Sequence, residues 1–486
     1  MKHSVRSLSL LALIVTIAGC KVGPNYKRPT VNTPASYRGA LAPDIAPATN
    51  TTPLGAQKWD TVFTDPVLQQ LIAEALKNNY DVKIAADRVL EQQAQVGITR
   101  AAQYPTVTAG GSYDALGLPS SLFNSISNNS NNSSNSNNNG QTNVHAGGIT
   151  ASVAWNLDFW GMYRRQSEAA RANLRATEWA KQTTYSTLVE NVATSYYQLR
   201  TLDAELAITR STLDARKQSL DLTRTLEQGG ADSMADVRQA EELYYTAQAQ
   251  IPDLERQIEQ QENNLRLLLG EDPGPIVRNV ADSVAILASA PHPADVPAGL
   301  PSDLLERRPD IRRAEELLIQ ANANIGVARA QYFPQLSLSG TAGTSGSQLK
   351  ALVSAVNVYY YAAGTLSQPI FDAGKIRANY RLAQATDKEL IDTYQQTIAG
   401  ALRDVSNALV AYNKTREYRE QQEKQTAAAA DAVRLARIRY NSGSTSYLEV
   451  LTTDTNLYNS QLTFEAAQQA EALSRVQLYN ALGGGW

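Results

Sequence analysis

Cysteine and histidine are scarce in this chain, and their scarcity excludes several kinds of chemistry. The sequence has one cysteine and three histidines, so a disulfide within the chain is impossible and a metal–thiolate cluster is disfavoured. None of His3, His145 and His292 has a carboxylate or a nucleophilic side chain at the sequence spacing of a catalytic motif. A phosphate-binding G-x-x-x-x-G-K-[ST] loop is also absent. We therefore predict no enzyme activity, no cofactor and no metal site.

Concentrated charge and long apolar runs are missing as well. The formal net charge is −3, and no basic cluster is present, which argues against a nucleic-acid partner. After the first twenty residues the sequence has no run of 18 apolar residues, the length that marks a helical membrane span.

A long helical stretch occupies residues 161–228. It contains no proline and is rich in Ala, Leu, Glu, Gln and Arg, residues that favour helix. Apolar side chains recur every seven residues, the spacing of a coiled coil. These heptad positions are Tyr185, Val192, Leu199, Leu206, Leu213 and Leu220. At 1.5 Å per residue the stretch predicts a rod of roughly 100 Å.

The rod occurs twice, which indicates a tandem duplication. Gly161, Gly230 and Gly270 are each answered by a glycine 213 residues later. Upstream of the rod, Tyr104-Pro105 is answered by Phe333-Pro334, now 229 residues away. The first copy therefore carries 16 extra residues between Pro105 and Trp160. Recognising such a repeat changes the expected fold.

The N-terminus reads as a targeting signal. Lys2 and Arg6 precede a short apolar core, and the run Ile-Ala-Gly-Cys ending at Cys20 resembles the lipobox of bacterial lipoproteins. This resemblance implies cleavage after residue 19 and lipidation of Cys20. A plain secretory signal with an incidental cysteine is the alternative. Residues 20–65 are then expected to form an extended tether.

Around the rods, helices alternate with strand-like segments in the same order in both copies. After residue 105 the apolar period changes from 3.6 to 2, which predicts paired strands. Alternation over about ten residues is typical of a transmembrane strand, although a strand of a soluble sandwich has the same pattern. Residues 124–139 are Asn and Ser apart from Ile126, so they predict a long exposed loop. The predicted segments are a helix at 66–103, a hairpin at 104–160, a long and a return helix at 161–270, a connector at 271–300, and the second helix, hairpin and helix pair at 301–332, 333–373 and 374–486.

Four short stretches carry a family likeness. They are residues 22–26 after the lipobox, 155–161 before the first rod, 300–311, and 368–374 before the second rod. Together they resemble the outer-membrane factor (TolC-like) family of bacterial efflux systems, and within it the lipoprotein branch typified by the Pseudomonas multidrug efflux outer-membrane protein. The resemblance covers nearly the whole mature chain.

The resemblance implies an architecture and a set of partners. The fold would be an α+β membrane protein, with a tandem-duplicated long α-helical coiled-coil barrel continuous with a trimeric 12-stranded transmembrane β-barrel, four strands per subunit. The implied homotrimer would sit in the outer membrane of a Gram-negative bacterium and conduct passively. A periplasmic adaptor would link it to an inner-membrane pump, usually proton-driven. Independently, four strands cannot close a barrel in lipid, so membrane strands would require self-association.

Carboxylates just after the glycine turns are the candidate functional residues. In the family such residues line the periplasmic tip as selectivity rings. Asp236 and Glu449 lie six residues after the paired glycines Gly230 and Gly443, and Asp232 follows the first turn. Asp at a helix start also caps the helix, and that structural role is the alternative. We favour the cap for Asp232 and the gate for Asp236 and Glu449.

Tyr440 precedes the second turn, where relatives use a tyrosine in a latch between neighbouring coils. Some relatives also have an Arg two residues after the paired glycine, but this chain has Thr445 there, and Arg439 is the candidate substitute. Plain coiled-coil packing of Tyr440 is the alternative. For the whole chain, the alternative to a duct is a non-channel periplasmic spacer or adaptor lipoprotein whose strands form a soluble domain.

Overall fold

The structure is a computed structural model that describes residues 21–31, 33–34, 36–38, 53–119, 141–279, 301–347 and 357–486. The signal at 1–19, Cys20, the Asn/Ser run at 124–139 and most of the connector lie outside the described residues. The elements in chain order are a 3₁₀ turn Leu54–Ala56, α1 Trp59–Val62, α2 Pro66–Asn78, α3 Tyr80–Ala101, β1 Thr106–Pro119, β2 Gln141–Leu157, α4 Met162–Gln228, α5 Met234–Leu269, α6 Leu304–Arg307, α7 Pro309–Ala330, β3 Gln335–Gly346, β4 Val358–Ser367, α8 Lys375–Asn441 and α9 Tyr447–Ala481.

The chain divides into two compact units, which we describe separately. The sheet unit comprises the N-terminal residues through Lys27 together with residues 92–174 and 317–390. The coil unit comprises residues 28–91, 175–316 and 391–486. Among the described residues, no helix combines the length and the apolar character needed to cross a membrane.

The sheet unit joins the two predicted hairpins into one antiparallel sheet with the strand order β1-β2-β3-β4. The pairing of β2 with β3 joins the copies, with Leu157 opposite Leu336. Strands β1 and β4 form the two edges of this sheet.

The register places apolar residues of all four strands on one face of the sheet. Val107 lies opposite Val153, Trp155 opposite Leu338, and Leu336 opposite Leu366. Polar residues occupy the other face, where Ser152 and Thr341 lie 3.0 Å apart, hydroxyl to hydroxyl. The apolar face is exposed in the single chain, with Val107 71% and Leu366 69% exposed. A contiguous exposed apolar face of this kind marks an interface with lipid or protein.

A short N-terminal segment is bound to the sheet unit. The Lys21 ammonium lies 2.6 Å from the Glu168 carboxylate, and the amide of Val22 donates to the carbonyl of Trp160 at 3.1 Å. Arg165, which is buried, donates to the carbonyl oxygens of Val22 and Gly23 at 3.3 and 3.1 Å. The N-terminal segment predicted as a tether is therefore bound to the sheet unit at residues 21–23.

The long helices contain 67 residues each. In α4 the heptad residues Val192, Leu199, Leu206 and Leu220 are buried, while Tyr185 and Leu213 are half-buried. Burying one such aliphatic side chain stabilises the fold by about 1.5–3 kcal/mol. The seven-residue spacing therefore identifies the packed side of α4.

The helix predicted at 66–103 is two helices, because the chain breaks at Asn79. Its backbone is extended, at φ −57° and ψ 137°. The Asn79 side chain caps α3 by accepting from the amide of Asp81 at 2.7 Å, and it donates to the carbonyl of Leu268 at 2.9 Å. Asparagine at a helix start satisfies backbone donors that would otherwise lack partners.

The helix predicted at 301–332 breaks at the corresponding place, 229 residues later. Arg308 is extended, at φ −70° and ψ 121°, because Pro309 after it disfavours helical backbone. Glycines of the return helices approach both breaks. A Cβ on Gly270 would lie 2.6 Å from the oxygen of Asn78, and one on Gly483 would lie 3.3 Å from the carbonyl carbon of Arg307. The breaks thus leave room for the ends of α5 and α9.

Candidate functional site

The two glycine turns of the coil unit have the same backbone geometry. Gly230 and Gly443 both adopt positive φ, 76° and 73°. After each glycine, an amide bonds back to a carbonyl of the long helix: Ala231 to Leu226, and Ser444 to Arg439, both at 2.8 Å. This is a Schellman ending, which satisfies the last helical carbonyls and favours glycine at the left-handed position. The turns therefore present the residues that follow them in matching positions.

Asp236 belongs to a capping box at the start of α5. The amide of Asp236 donates to the Ser233 hydroxyl at 3.3 Å, and the amide of Ser233 donates to the Asp236 carboxylate at 3.1 Å. The structural role considered as an alternative is thus present in the geometry. Asp236 also remains partly exposed, so its charge can still act on ions nearby.

Glu449, the counterpart of Asp236, makes different contacts. Ser446 caps α9 without a side-chain hydrogen bond. The Glu449 carboxylate instead accepts from the Arg439 guanidinium at 2.6 Å and from the Thr445 hydroxyl. Arg439 is in the last turn of α8 and Thr445 is in the glycine turn, so Glu449 connects the start of α9 to both sides of that turn.

Tyr440 and Asp232 link the two copies. The Tyr440 hydroxyl donates to the Asp232 carboxylate at 2.6 Å, joining the end of α8 to the first turn. Burial, followed by this hydrogen bond to a carboxylate, raises the pKa of the Tyr440 hydroxyl well above its usual value. The hydroxyl therefore stays protonated and remains a donor near neutral pH. Asp232, which we expected to cap α5, contacts the other copy while Ser233 makes the cap.

A small apolar cluster supports this link from the helix side. Its members come from α4, α5, α8 and α9 and include Tyr447, whose ring lies 5.3 Å from that of Tyr440. The Tyr447 hydroxyl lies 2.7 Å from the hydroxyl of Ser219 on α4, making a second link between the copies. The buried members are Leu220, Val237, Ala240, Ala436, Tyr447 and Val450.

A third link is a buried ion pair. The Arg216 guanidinium on α4 donates to Asp454 on α9 at 3.0 Å, and its side chain is only 4% exposed. Arg216 also donates to the carbonyl of Leu243 and lies over the ring of Tyr458, 5.2 Å from the ring centre. Arg437 approaches the same carboxylate at 3.5 Å. Asp454 thus receives one arginine from each copy.

From the sequence we expected roles for Asp232, Asp236, Tyr440, Glu449 and Arg439, whereas the contacts made by Arg216, Ser219 and Tyr447 were missed. The missed residues share one feature, which is that the duplication does not repeat them. Arg216 corresponds to Ala429, and Tyr447 corresponds to Met234. A comparison of the two copies for such differences would have found them. Cys20, the predicted lipidation site, lies outside the described residues.

Tyr440–Asp232, Tyr447–Ser219 and Arg216–Asp454 form what we call the inter-copy links. They fasten the turn region of one helical hairpin to the other within a single chain. Any movement that separates the two turns must break these contacts. The two residues of each link are joined directly by hydrogen bonds.

Comparison with known proteins identifies the family. The family model described as outer membrane efflux protein matches residues 71–271 and 300–484. This chain belongs to that family. Its two matched segments correspond to the two copies, each with its hairpin and long helix.

Individual relatives match over almost the whole chain. The solvent efflux pump outer membrane protein SrpC of Pseudomonas putida is 35% identical, covering 99% of this chain and 98% of the relative. The cation efflux system protein CusC of Escherichia coli is 32% identical, covering 98% of each chain. The open-state structure of the Neisseria gonorrhoeae MtrE outer membrane channel superposes with a TM-score of 0.82 at 27% identity, covering 96% of this chain and 98% of that one.

Proposed function

We propose that this protein is the outer-membrane exit duct of a tripartite efflux system, conducting substrates passively to the outside of a Gram-negative cell. The observation that carries this proposal is the four-stranded sheet, which has one apolar face and two open edges. In hydrocarbon an open edge would leave backbone groups without partners. The apolar face is suited to contact with lipid, and the two edge strands need to pair with strands of further subunits. Family membership favours this duct over a soluble spacer lipoprotein.

The sheet edges support assembly into a homotrimer. Edge strand β1 of one subunit would pair with edge strand β4 of the next subunit, closing a 12-stranded barrel. A single four-stranded sheet is below the size of known closed barrels. The number three agrees with the family. The measurement is the mass of the purified, detergent-solubilised protein, together with its migration in SDS before and after boiling. A monomer that needs no detergent would exclude the duct and support the spacer.

The tip of the helical hairpins is the proposed gate. In a trimer, Asp236 and Glu449 would each repeat around the axis and give negative rings that favour cations. Tyr440 with Asp232 would act as the latch, and Arg439 would hold Glu449 within its own turn. The inter-copy links support this assignment because they join the two turns that an opening movement would separate.

We propose that a lipid anchor on Cys20 attaches the protein to the membrane in addition to the β-strands. Lys21, the next residue, is bound to Glu168, and Val22 is bound to the carbonyl of Trp160, three residues after the end of β2. The described part of the chain thus begins, at Lys21 and Val22, with residues bound close to the end of β2. Acyl chains alone bind membranes only moderately, so they would act together with the strands. Cys20→Ser should abolish incorporation of radiolabelled palmitate, and Lys21→Ala serves as the matched control.

The partners would be a periplasmic adaptor and an inner-membrane pump. The named cargoes of the relatives differ, being solvents for SrpC and cations for CusC, although both resemble this chain to a similar degree. This agrees with a duct that passes whatever its pump selects. The test is reconstitution in a planar bilayer, where the duct must conduct ions without any energy source. A protein that inserts and never conducts, even with Tyr440 and Arg216 replaced, would contradict the proposal.

A further inference from the structure

The interface between α4 and α9 contains two buried acceptor atoms without a donor. Glu465 is 3% exposed and Gln468 is 4% exposed. Neither Oε2 of Glu465 nor Oε1 of Gln468 has a hydrogen-bond partner. The two residues are three apart on α9, so they lie on the same side of the helix. Buried polar atoms without partners are uncommon, and each such case calls for an explanation.

A second carboxyl group faces them from α4. Hydrogen bonds above and below fix the relation of the two antiparallel helices. Thr209 and Tyr458 lie 3.0 Å apart, hydroxyl to hydroxyl, and Arg475 donates to the Tyr197 hydroxyl at 3.4 Å. Glu205 lies between these bonds on α4, as Glu465 does on α9. Glu205 is the charged group that acts electrostatically on Glu465.

Most charged groups on neighbouring turns are engaged elsewhere or face solvent. Arg200 on α4 is buried and donates to the carbonyl of Asn279 at 2.8 Å, with its other two side-chain nitrogen atoms lacking a partner. On α8, Arg419 is bound to Glu471 at 2.6 Å. On α4, Asp203 is bound to Arg278 at 2.6 Å and Arg210 to Glu255 at 2.8 Å. On the facing stretches of α8 and α5 the exposed charged side chains include Glu420, Glu423, Lys424 and Glu259, and Arg416 on α8 is half-buried. In the described part of the chain, no cation is bonded to either member of the Glu205–Glu465 pair.

A proton would resolve both problems in this interface. Protonated Glu465 has an O–H that can donate a hydrogen bond to the Glu205 carboxylate or to the amide oxygen of Gln468. Protonation therefore supplies the hydrogen-bond donor that this interface lacks. It also removes the repulsion between two carboxylates that have no cation beside them. We propose that Glu205 and Glu465 form a shared-proton site that tightens the α4–α9 interface when one proton is bound and loosens it when both groups ionise.

Burial supports this assignment. Burial, and then the charge of Glu205, raise the pKa of Glu465 to about 7, and burial also raises the pKa of Glu205. With a pKa near 7, about half of Glu465 is protonated at pH 7, against roughly 1 in 500 for an unperturbed glutamate. The folded state then binds more protons than the unfolded state between about pH 4.5 and 7. Its stability is therefore greatest at the acidic end of that window and is lost as the pH rises through 7.

The two joined helices belong to different copies, so the site would make the packing of the helical region respond to pH. This inference does not depend on the proposed function, because it concerns the folding of the coil unit and applies equally to a duct or to a spacer.

The test is thermal unfolding of the full-length protein in detergent, followed by circular dichroism from about pH 5 to pH 8. The wild-type melting temperature should fall across this range. In Glu465→Gln the fall should be largely lost, with higher stability than the wild type at pH 8. Glu420→Gln removes an exposed carboxylate from α8 and is the matched control, which should keep the wild-type fall. A Glu465→Gln protein with the full wild-type fall would overturn the proposal.

Infrared spectroscopy provides a second readout that a merely structural role would not change. A protonated carboxylic acid band should be present near pH 6, disappear above about pH 8, and be absent in Glu465→Gln. The alternative occupant is a metal ion bound by the same oxygen atoms. If added Mg²⁺ or Ca²⁺ raised the wild-type melting temperature but not that of Glu465→Gln, and no acid band appeared, the site would bind a cation and the proton proposal would be wrong.

Discussion

Replacing Tyr440 with phenylalanine removes one hydroxyl group from the inter-copy links and leaves the ring in place. The lost contact is the 2.6 Å hydrogen bond to the Asp232 carboxylate. Hydrogen bonds to charged groups contribute about 1.5–3 kcal/mol. Because Asp232 is partly exposed, water can solvate its carboxylate after the change. The lower end, about 1.5 kcal/mol per subunit, is therefore the appropriate value.

This loss should act on the opening equilibrium of the proposed duct. About 1.5 kcal/mol is roughly tenfold in an equilibrium constant. If three subunits open together, the combined loss is about 4.5 kcal/mol, or roughly 1,000-fold. Single-channel recording in planar bilayers would measure it as an increase in open probability, with little change in the fully open conductance.

Two further variants make the experiment decisive. Asp232→Asn keeps the shape of the acceptor and removes its charge, so it should raise the open probability in the same direction. Tyr245→Phe removes a hydroxyl from a side chain that is 58% exposed and should leave the open probability unchanged. Wild-type open probability in both Tyr440→Phe and Asp232→Asn would refute the latch.

Three other changes test the rest of the helical region. Arg216→Met should raise the open probability more than Tyr440→Phe does, because breaking a buried ion pair costs about 3–5 kcal/mol, although Arg437 still neutralises part of the Asp454 charge; bilayer recording measures this. Asp236→Asn with Glu449→Gln should lower the cation-to-anion permeability ratio, which reversal potentials in a salt gradient report. Asn79→Ala should lower the free energy of unfolding by about 1 kcal/mol through loss of the α3 cap, and urea unfolding followed by circular dichroism would detect this.

Much of the fold follows from local patterns that are repeated in the chain. The heptad of α4 and the alternation in the strands each repeat over many residues, so single exceptions do not hide them. The break at Asn79 is harder to predict, because flanking residues continue the helical period across it, whereas Pro309 marks the break at Arg308 in the sequence itself. Their cause is partly distant in sequence, since Gly270 and Gly483 on the return helices approach the broken turns.

The candidate site could be predicted only in part, for a related reason. Asp232, Asp236 and Glu449 were found because they follow glycine turns, which are local features. Their partners were not predictable from the turns, since Tyr440 donates to Asp232 across 208 residues of sequence. Asp236 and Glu449 occupy matching positions, each three residues after a serine, yet one caps a helix and the other binds Arg439 and Thr445. The difference arises because the first copy has Leu226 and Asp232 where the second has Arg439 and Thr445.

Duplication explains why the links between the copies occur where the repeat is imperfect. Contacts that serve each hairpin separately can be kept in both copies, as Arg224–Glu241 and Arg437–Asp454 are, each at equivalent positions. A contact that joins two different hairpins is made once in the chain, so its residues need not be repeated in the other copy and can diverge. Arg216 stands where the other copy has Ala429, and Asp454 therefore contacts two guanidinium groups, those of Arg216 and Arg437. The same reasoning applies to Glu205 and Glu465, whose equivalents are Tyr418 and Pro252, so the shared-proton site is also a feature of one interface between the copies and not of the repeat.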